Sequence, residues 1–231
     1  MSEPNVGALR APARSAFSTK TLVSLAMLTA IAYVVMYLSK ALPSVYGILD
    51  FDFKDTIICI GGFVFGPVAA AAVSVAVAFI EMVTISTTGP WGFLMNALAT
   101  CAFCCTASYI YKKRHTMKGA MAGLICGTVV LTIAMLLWNY LATPIYLKMP
   151  REAVADLLVP VFLPFNLVKG GMNMAAILLL YKPVVTALRK AGLVAPSQNT
   201  QARKFSAGFL LFSLVLLATF VFLGLVLAGV L

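Results

Sequence analysis

Charge is what this sequence has least of. Asp, Glu, Lys and Arg make up 10% of its 231 residues, and 62% are hydrophobic. A soluble domain carries about 25% charged and 45–50% apolar residues. Several apolar runs reach the roughly 20 residues needed to cross a bilayer. The balance excludes a soluble enzyme or a separate catalytic domain and points to an all-α, polytopic membrane protein. Histidine is nearly absent: the single one, His115, sits in the basic loop Lys112-Lys113-Arg114-His115. No G-x-x-x-x-G-K-[S/T] run occurs, so the chain has no phosphate loop of its own, and Gly61-Gly62 is read as close helix packing. The five cysteines, Cys59, Cys101, Cys104, Cys105 and Cys126, all lie in apolar runs. Cys101-Ala-Phe-Cys104 is formally C-x-x-C but lacks polar neighbours, and these thiols are read as buried and inert. No metal site and no catalytic residue is assigned, because neither a nucleophile–base pair nor a metal cluster is in view.

The apolar runs predict seven helices. Spans are expected at about Thr21–Leu38, Thr56–Phe65 (short), Val68–Ile85, Trp91–Tyr111, Gly119–Leu141 and Ala155–Tyr181, with a further charge-free, lipid-facing span over Phe205–Leu231. Gly66-Pro67 and Gly89-Pro90 mark tight turns. The first run has no small-residue cleavage site and reads as a retained helix rather than a signal peptide. The expected organisation is a basic arm over 1–19, a six-helix membrane domain over 20–186, a linker over 187–204 and an additional transmembrane helix over 205–231.

The net charge of +10 does not call for nucleic acid once it is placed on this topology. With the N-terminus cytoplasmic, Arg10, Arg14, Lys20, Lys112, Lys113, Arg114, Lys118, Lys182, Arg189, Lys190, Arg203 and Lys204 face the cytoplasm. Lys40, Lys54, Lys148 and Arg151 fall outside, as do Asp50, Asp52, Asp55, Glu152 and Asp156. This is the positive-inside pattern of a cell-membrane protein.

Few polar groups remain within the spans. In Asn166-Leu-Val-Lys169-Gly-Gly-Met-Asn173, the residues Asn166, Lys169 and Asn173 stand at i, i+3 and i+7, so a helix aligns them on one face. An amine at membrane depth is costly and is kept where it meets a cavity, a partner or a ligand. Glu81, Asn96 and Asn139 fall at similar outward depths, and Glu81 is read as the sole intramembrane acid. The pattern suggests a pocket loaded from outside, with Trp91, Phe51, Phe53, Tyr46, Trp138 and Tyr140 near its mouth. One buried cation among carboxamides suits a planar, weakly polar, hydroxylated molecule. The competing reading is a structural ion pair between Lys169 and Glu81. Residues 39–55 either fold over the pocket as a lid or form a solvated loop. The small pair Ala26 and Ala30 on the first span admits close approach of another helix.

These residues carry a family resemblance. The Ala26-x-x-x-Ala30 span, Leu49-Asp-Phe-Asp52-Phe-Lys-Asp55 leading into Ile60-Gly-Gly-Phe-Val-Phe-Gly66-Pro67, and Phe165-Asn-Leu-Val-Lys169-Gly170 with Leu180-Tyr-Lys182-Pro183 resemble the S-component of an energy-coupling factor (ECF) vitamin transporter. Within that family the chain is most similar to the riboflavin-specific members, over about residues 20–190. The resemblance implies a six-helix core, an outward substrate site closed by the loop after span 1, and riboflavin as transported ligand rather than cofactor. Its implied partners are a transmembrane coupling subunit, docked on Ala26 and Ala30, and two ABC ATPases. Ligand contacts carry over best to Asn166 and Lys169, and less firmly to Asn139. Another vitamin such as thiamin or biotin, a stand-alone secondary transporter and a membrane-embedded enzyme remain the alternatives. The extra C-terminal span departs from the family pattern.

Overall fold

The computed structural model describes residues 18–47, 49–193 and 207–230. The expected basic arm therefore lies outside the described residues except for Ser18 and Thr19, and the linker over 187–204 is described only to residue 193. The described chain is helical, apart from one isolated antiparallel bridge between Val45 and Leu49.

Seven helices follow one another: α1 (Thr19–Ser39), α2 (Lys54–Phe65), α3 (Pro67–Thr84), α4 (Gly89–Arg114), α5 (Met117–Leu147), α6 (Arg151–Lys190) and α7 (Ala207–Leu227). All but α2 are long and apolar enough to span a membrane. At 12 residues, α2 reaches only about 18 Å. It is buried from Lys54 through Phe63 and so is shielded from lipid by its neighbours. Its turn into α3 needs glycine: Gly66 has φ +96°, which L side chains rarely adopt, and Pro67 starts the next helix.

Helix ends depart from the hydropathy boundaries. Helix α5 runs past Pro144 to Leu147, and α6 begins at Arg151 and passes Pro183 to Lys190. Both prolines thus lie inside their helices, each removing one backbone donor. Inside α6 the consequence of proline is larger. Pro160 and Pro164 remove two successive donors four residues apart. The helix widens over Leu158–Phe162, and the Leu163 N–H reaches back five residues to the Leu158 carbonyl.

The main core joins α1 to α6 through Leu28, Ile60, Val77, Phe103, Leu124 and Ile177. Helices α4 and α5 meet closely because Gly123 and Gly127 lie against the backbone oxygens of Ala107 and Phe103. A second apolar cluster, Val45, Phe51, Phe165, Val168 and Met172, lies where the α1–α2 connection meets α6, and α7 packs onto it. Phe209 and Leu216 of α7 pack against the main core and Ser213 is buried, while most of the helix is exposed, as a lipid-facing helix would be.

Candidate substrate site

The described parts of the α1–α2 connection, residues 40–47 and 49–53, fold over the end of the bundle as a lid. Val45 and Leu49 exchange backbone hydrogen bonds of 2.9 and 3.1 Å, closing a tight turn through Tyr46 (φ +54°) and Gly47 (φ +69°). Beneath it lies a cavity of about 800 Å³ reached by residues of α1, the lid, α3, α4, α5 and α6. That volume suits a small organic molecule. Its deeper wall is apolar, with Met95, Ala99, Leu131, Met135, Phe162 and Phe165, and Ser86, Thr87 and Thr88 supply hydroxyls on one side.

An alternating chain of ions runs along this cavity. The Lys169 ammonium lies 2.7 Å from Asp52 Oδ2, and Lys54 Nζ lies 3.3 Å from the same oxygen. Lys54 also reaches Glu81 Oε2 at 3.4 Å and donates to Asn96 Oδ1 at 3.2 Å. Asn96 Nδ2 donates to Glu81 Oε2 at 3.1 Å. Lys40 then joins Glu81 Oε1 at 3.8 Å to Asp50 Oδ2 at 2.6 Å. Lys169, Asp52, Lys54 and Glu81 are all buried. Buried charges persist only when paired in this way. Burial pushes the Asp52 carboxyl up, but Lys169 and Lys54 outweigh it and hold the group well below the usual carboxylate range. Asp52 Oδ1, by contrast, is buried and finds no hydrogen-bond partner among the described residues.

Sequence comparison gives the family of the chain. A sequence model of the family "ECF transporter, substrate-specific component" matches residues 20–181. The chain belongs to this family of ECF S components. It is 31% identical over 177 residues to "Riboflavin transporter RibU" of Staphylococcus aureus, covering 74% of this chain and 93% of that one. It is 32% identical over 160 residues to "Riboflavin transporter FmnP" of Bacillus subtilis, covering 65% and 84%. Among solved structures, the one titled "Structure and mechanism of the S component of a bacterial ECF transporter" aligns with a TM-score of 0.62 at 31% identity, covering 74% of this chain and 98% of that one. The chain is thus a multi-pass membrane component of a transporter, with α7 beyond the matched family range.

Within this S component, Lys169, Asn166, Asn139, Glu81 and Asn96 all line the cavity. Asn166 Nδ2 donates to the Phe162 carbonyl at 2.7 Å, in the widened turn. Asn139 Nδ2 donates to the Met135 carbonyl at 2.7 Å, and its oxygen accepts from Thr143. Three expected site residues lie elsewhere. Asn173 is a tether: its amide nitrogen donates to the Asp52 carbonyl at 2.9 Å and its oxygen accepts from Thr56 Oγ1 at 2.8 Å. Phe51 packs on Phe165 behind the cavity wall, with ring centroids 4.8 Å apart. Trp91 joins Trp138 and Tyr146 in a partly exposed aromatic group. Of the rings expected at the mouth, Phe51, Phe53, Tyr46, Trp91, Trp138 and Tyr140, none is among the described residues that line the cavity. The cavity's rings belong instead to Tyr37, Tyr146, Phe162 and Phe165.

The ion pair expected as an alternative, Lys169 with Glu81, is also corrected: Lys169 is held by Asp52, and Glu81 by Lys54 and Lys40. Asp52, Lys54 and Asp55, expected outside, are buried where the lid meets α2. Glu81 is therefore not the sole buried acid, nor Lys169 the sole buried cation. Asp55 accepts from Thr100 Oγ1 at 2.7 Å, away from the cavity lining. A signal that this segment packs onto the bundle was present in Asp50-Phe51-Asp52-Phe53-Lys54, where every second residue is a phenylalanine. A solvated loop has no use for that alternation.

Proposed function

We propose that this S component captures riboflavin from the outer face of a bacterial cell membrane and releases it inward. The observation that carries the reading is the lidded chamber whose wall presents Lys169 beside Asn166, with Asp52 held between two lysines. Its lining cations, Lys40 and Lys169, are engaged by Asp50 and Asp52, and Lys54 beside the wall by Asp52 and Glu81. Among the described residues that line the cavity, both cations are already paired with carboxylates, which favours a neutral ligand over an anionic one. Riboflavin combines a flat ring system for the apolar wall with hydroxyls and ring carbonyls for the polar groups. Asp52 Oδ1, lacking a partner among the described residues, is a fitting acceptor for a ligand hydrogen. The names of the curated relatives point to the same vitamin.

The chain itself supplies capture. ATP hydrolysis belongs to partner subunits: a transmembrane coupling subunit and two ABC ATPases, with toppling of the S component carrying ligand inward. The concentration of cations at the end away from the lid supports a cytoplasmic N-terminus and an outward lid.

The test is ligand identification and titration. Purified chain should carry flavin, identified by absorbance and mass spectrometry; thiamin or biotin in its place would overturn the riboflavin reading. Lys169→Met should weaken flavin binding by roughly 10- to 100-fold, since a hydrogen bond to a charged group is worth about 1.5–3 kcal/mol. Unchanged affinity in a folded Lys169→Met protein would remove the amine from the site.

A further inference from the structure

We propose that α7 is a brace for the lid and lengthens the residence of ligand beneath it. The inference rests on the cavity being the ligand site. Phe51 of the lid is held from two sides. Phe165 of α6 packs on one side, with ring centroids 4.8 Å apart. Gly224 of α7 lies on the other, where an added Cβ would stand 3.4 Å from the Phe51 ring and 3.6 Å from Met172 Sδ. One turn earlier on the same face of α7, the Phe220 ring fills the notch above Gly171 of α6, a place that a Cβ at Gly171 would overlap. Val221, Leu227 and Ala228 complete the contact with the cluster containing Val45 and Phe51.

Phe51 is covalently next to Asp52, and Asp52 ties the lid to α6 twice. Its carboxylate holds Lys169 at 2.7 Å, and its carbonyl accepts from Asn173 at 2.9 Å. A lid lifting from the cavity must therefore pull Phe51 out of the slot between Phe165 and Gly224. Helix α7 closes one side of that slot. Its grip comes from shape, because lipid gives apolar helices no hydrophobic drive to associate, and glycines permit the close approach. The same helix lies outside the residues matched by the family.

The experiment uses the full chain in lipid nanodiscs with three substitutions. Phe220→Ala empties the notch, Gly171→Leu fills it from α6, and Leu211→Ala changes the exposed face of α7. Flavin dissociation is followed by stopped-flow fluorescence, and amide exchange is read over the lid. Phe220→Ala and Gly171→Leu should each speed dissociation by roughly ten-fold with little change in association, as most alterations to a binding contact act on release. Both should also raise lid exchange, and Leu211→Ala should change neither. Wild-type dissociation and wild-type lid exchange in both notch variants would overturn the proposal, as would an equal effect of Leu211→Ala. If the wild-type chain binds no flavin, the ligand reading fails, and lid exchange alone then decides the brace.

Discussion

Asp52 serves two masters. One carboxylate oxygen neutralises both buried lysines, Lys169 and Lys54. Removing it strands the Lys169 ammonium away from water and leaves Lys54 with Glu81 alone, whereas removing Lys169 leaves Asp52 still paired with Lys54. Breaking a buried pair costs about 3–5 kcal/mol. Asp52→Ala should therefore lower the melting temperature in detergent markedly more than Lys169→Ala does. An equal loss in the two variants would contradict the shared-carboxylate account. The pH dependence follows from the same group, which lies on the lid outside the spanning helices. Its carboxyl is depressed in the folded protein. A depressed acid contributes its stability at every pH above its unfolded value, near 4. That contribution is lost only as pH falls through the still lower folded value. Melting temperature should thus stay flat between about pH 5 and pH 8 and fall below about pH 4. A midpoint near neutrality would assign the control to another group.

At the scale of the element, glycine sets how closely helices approach. A Cβ on Gly123 would stand 2.7 Å from the Ala107 carbonyl oxygen, and one on Gly127 would stand 2.8 Å from that of Phe103. Backbone cannot step aside as a side chain can. Gly123→Val and Gly127→Val should each destabilise the bundle by about 1–3 kcal/mol, seen as a lower melting temperature. Melting at the wild-type temperature would mean that the α4–α5 seam is looser than drawn. The helices were legible in the sequence because hydropathy runs report lipid contact directly. So was the polar face of α6, since Asn166 and Lys169 had no other reason to sit in an apolar run. What stayed hidden was pairing across the chain. Lys169 and Asp52 are 117 residues apart, and nothing local marks them as partners. Lys54 and Asp55 looked solvated because charge density resembles a loop until tertiary contacts bury it. The exits of α5 and α6 were misjudged for a related reason: the apolar runs were ended at Leu141 and Tyr181, yet the helices continue past Pro144 to Leu147 and past Pro183 to Lys190.

For the whole molecule, the two ends differ in charge. Every acid among the described residues, Asp50, Asp52, Asp55, Glu81, Glu152 and Asp156, belongs to the half that carries the lid. The opposite end holds Lys20, Lys112, Lys113, Arg114, Lys118, Arg189 and Lys190 without a described acid. Capture and delivery then divide between different parts of the surface. Ala26 and Ala30 stand one turn apart on α1 and are both exposed. Tyr37 and Leu38, by contrast, are the α1 residues that reach the cavity. The separation from Ala30 to Tyr37 is roughly 10 Å along the axis, so bulk added at the alanines does not touch the ligand. The low relief there suits a flat helix–helix contact of the kind proposed for the coupling subunit. Ala26→Trp combined with Ala30→Trp should abolish vitamin uptake by whole cells and co-purification with the coupling subunit. Equilibrium flavin binding by the purified double variant should stay within about three-fold of wild type, near the spread of a neutral substitution. Wild-type uptake by cells carrying the double variant would place the docking face elsewhere on the bundle. Loss of flavin binding together with uptake would mean that the two surfaces are not separable.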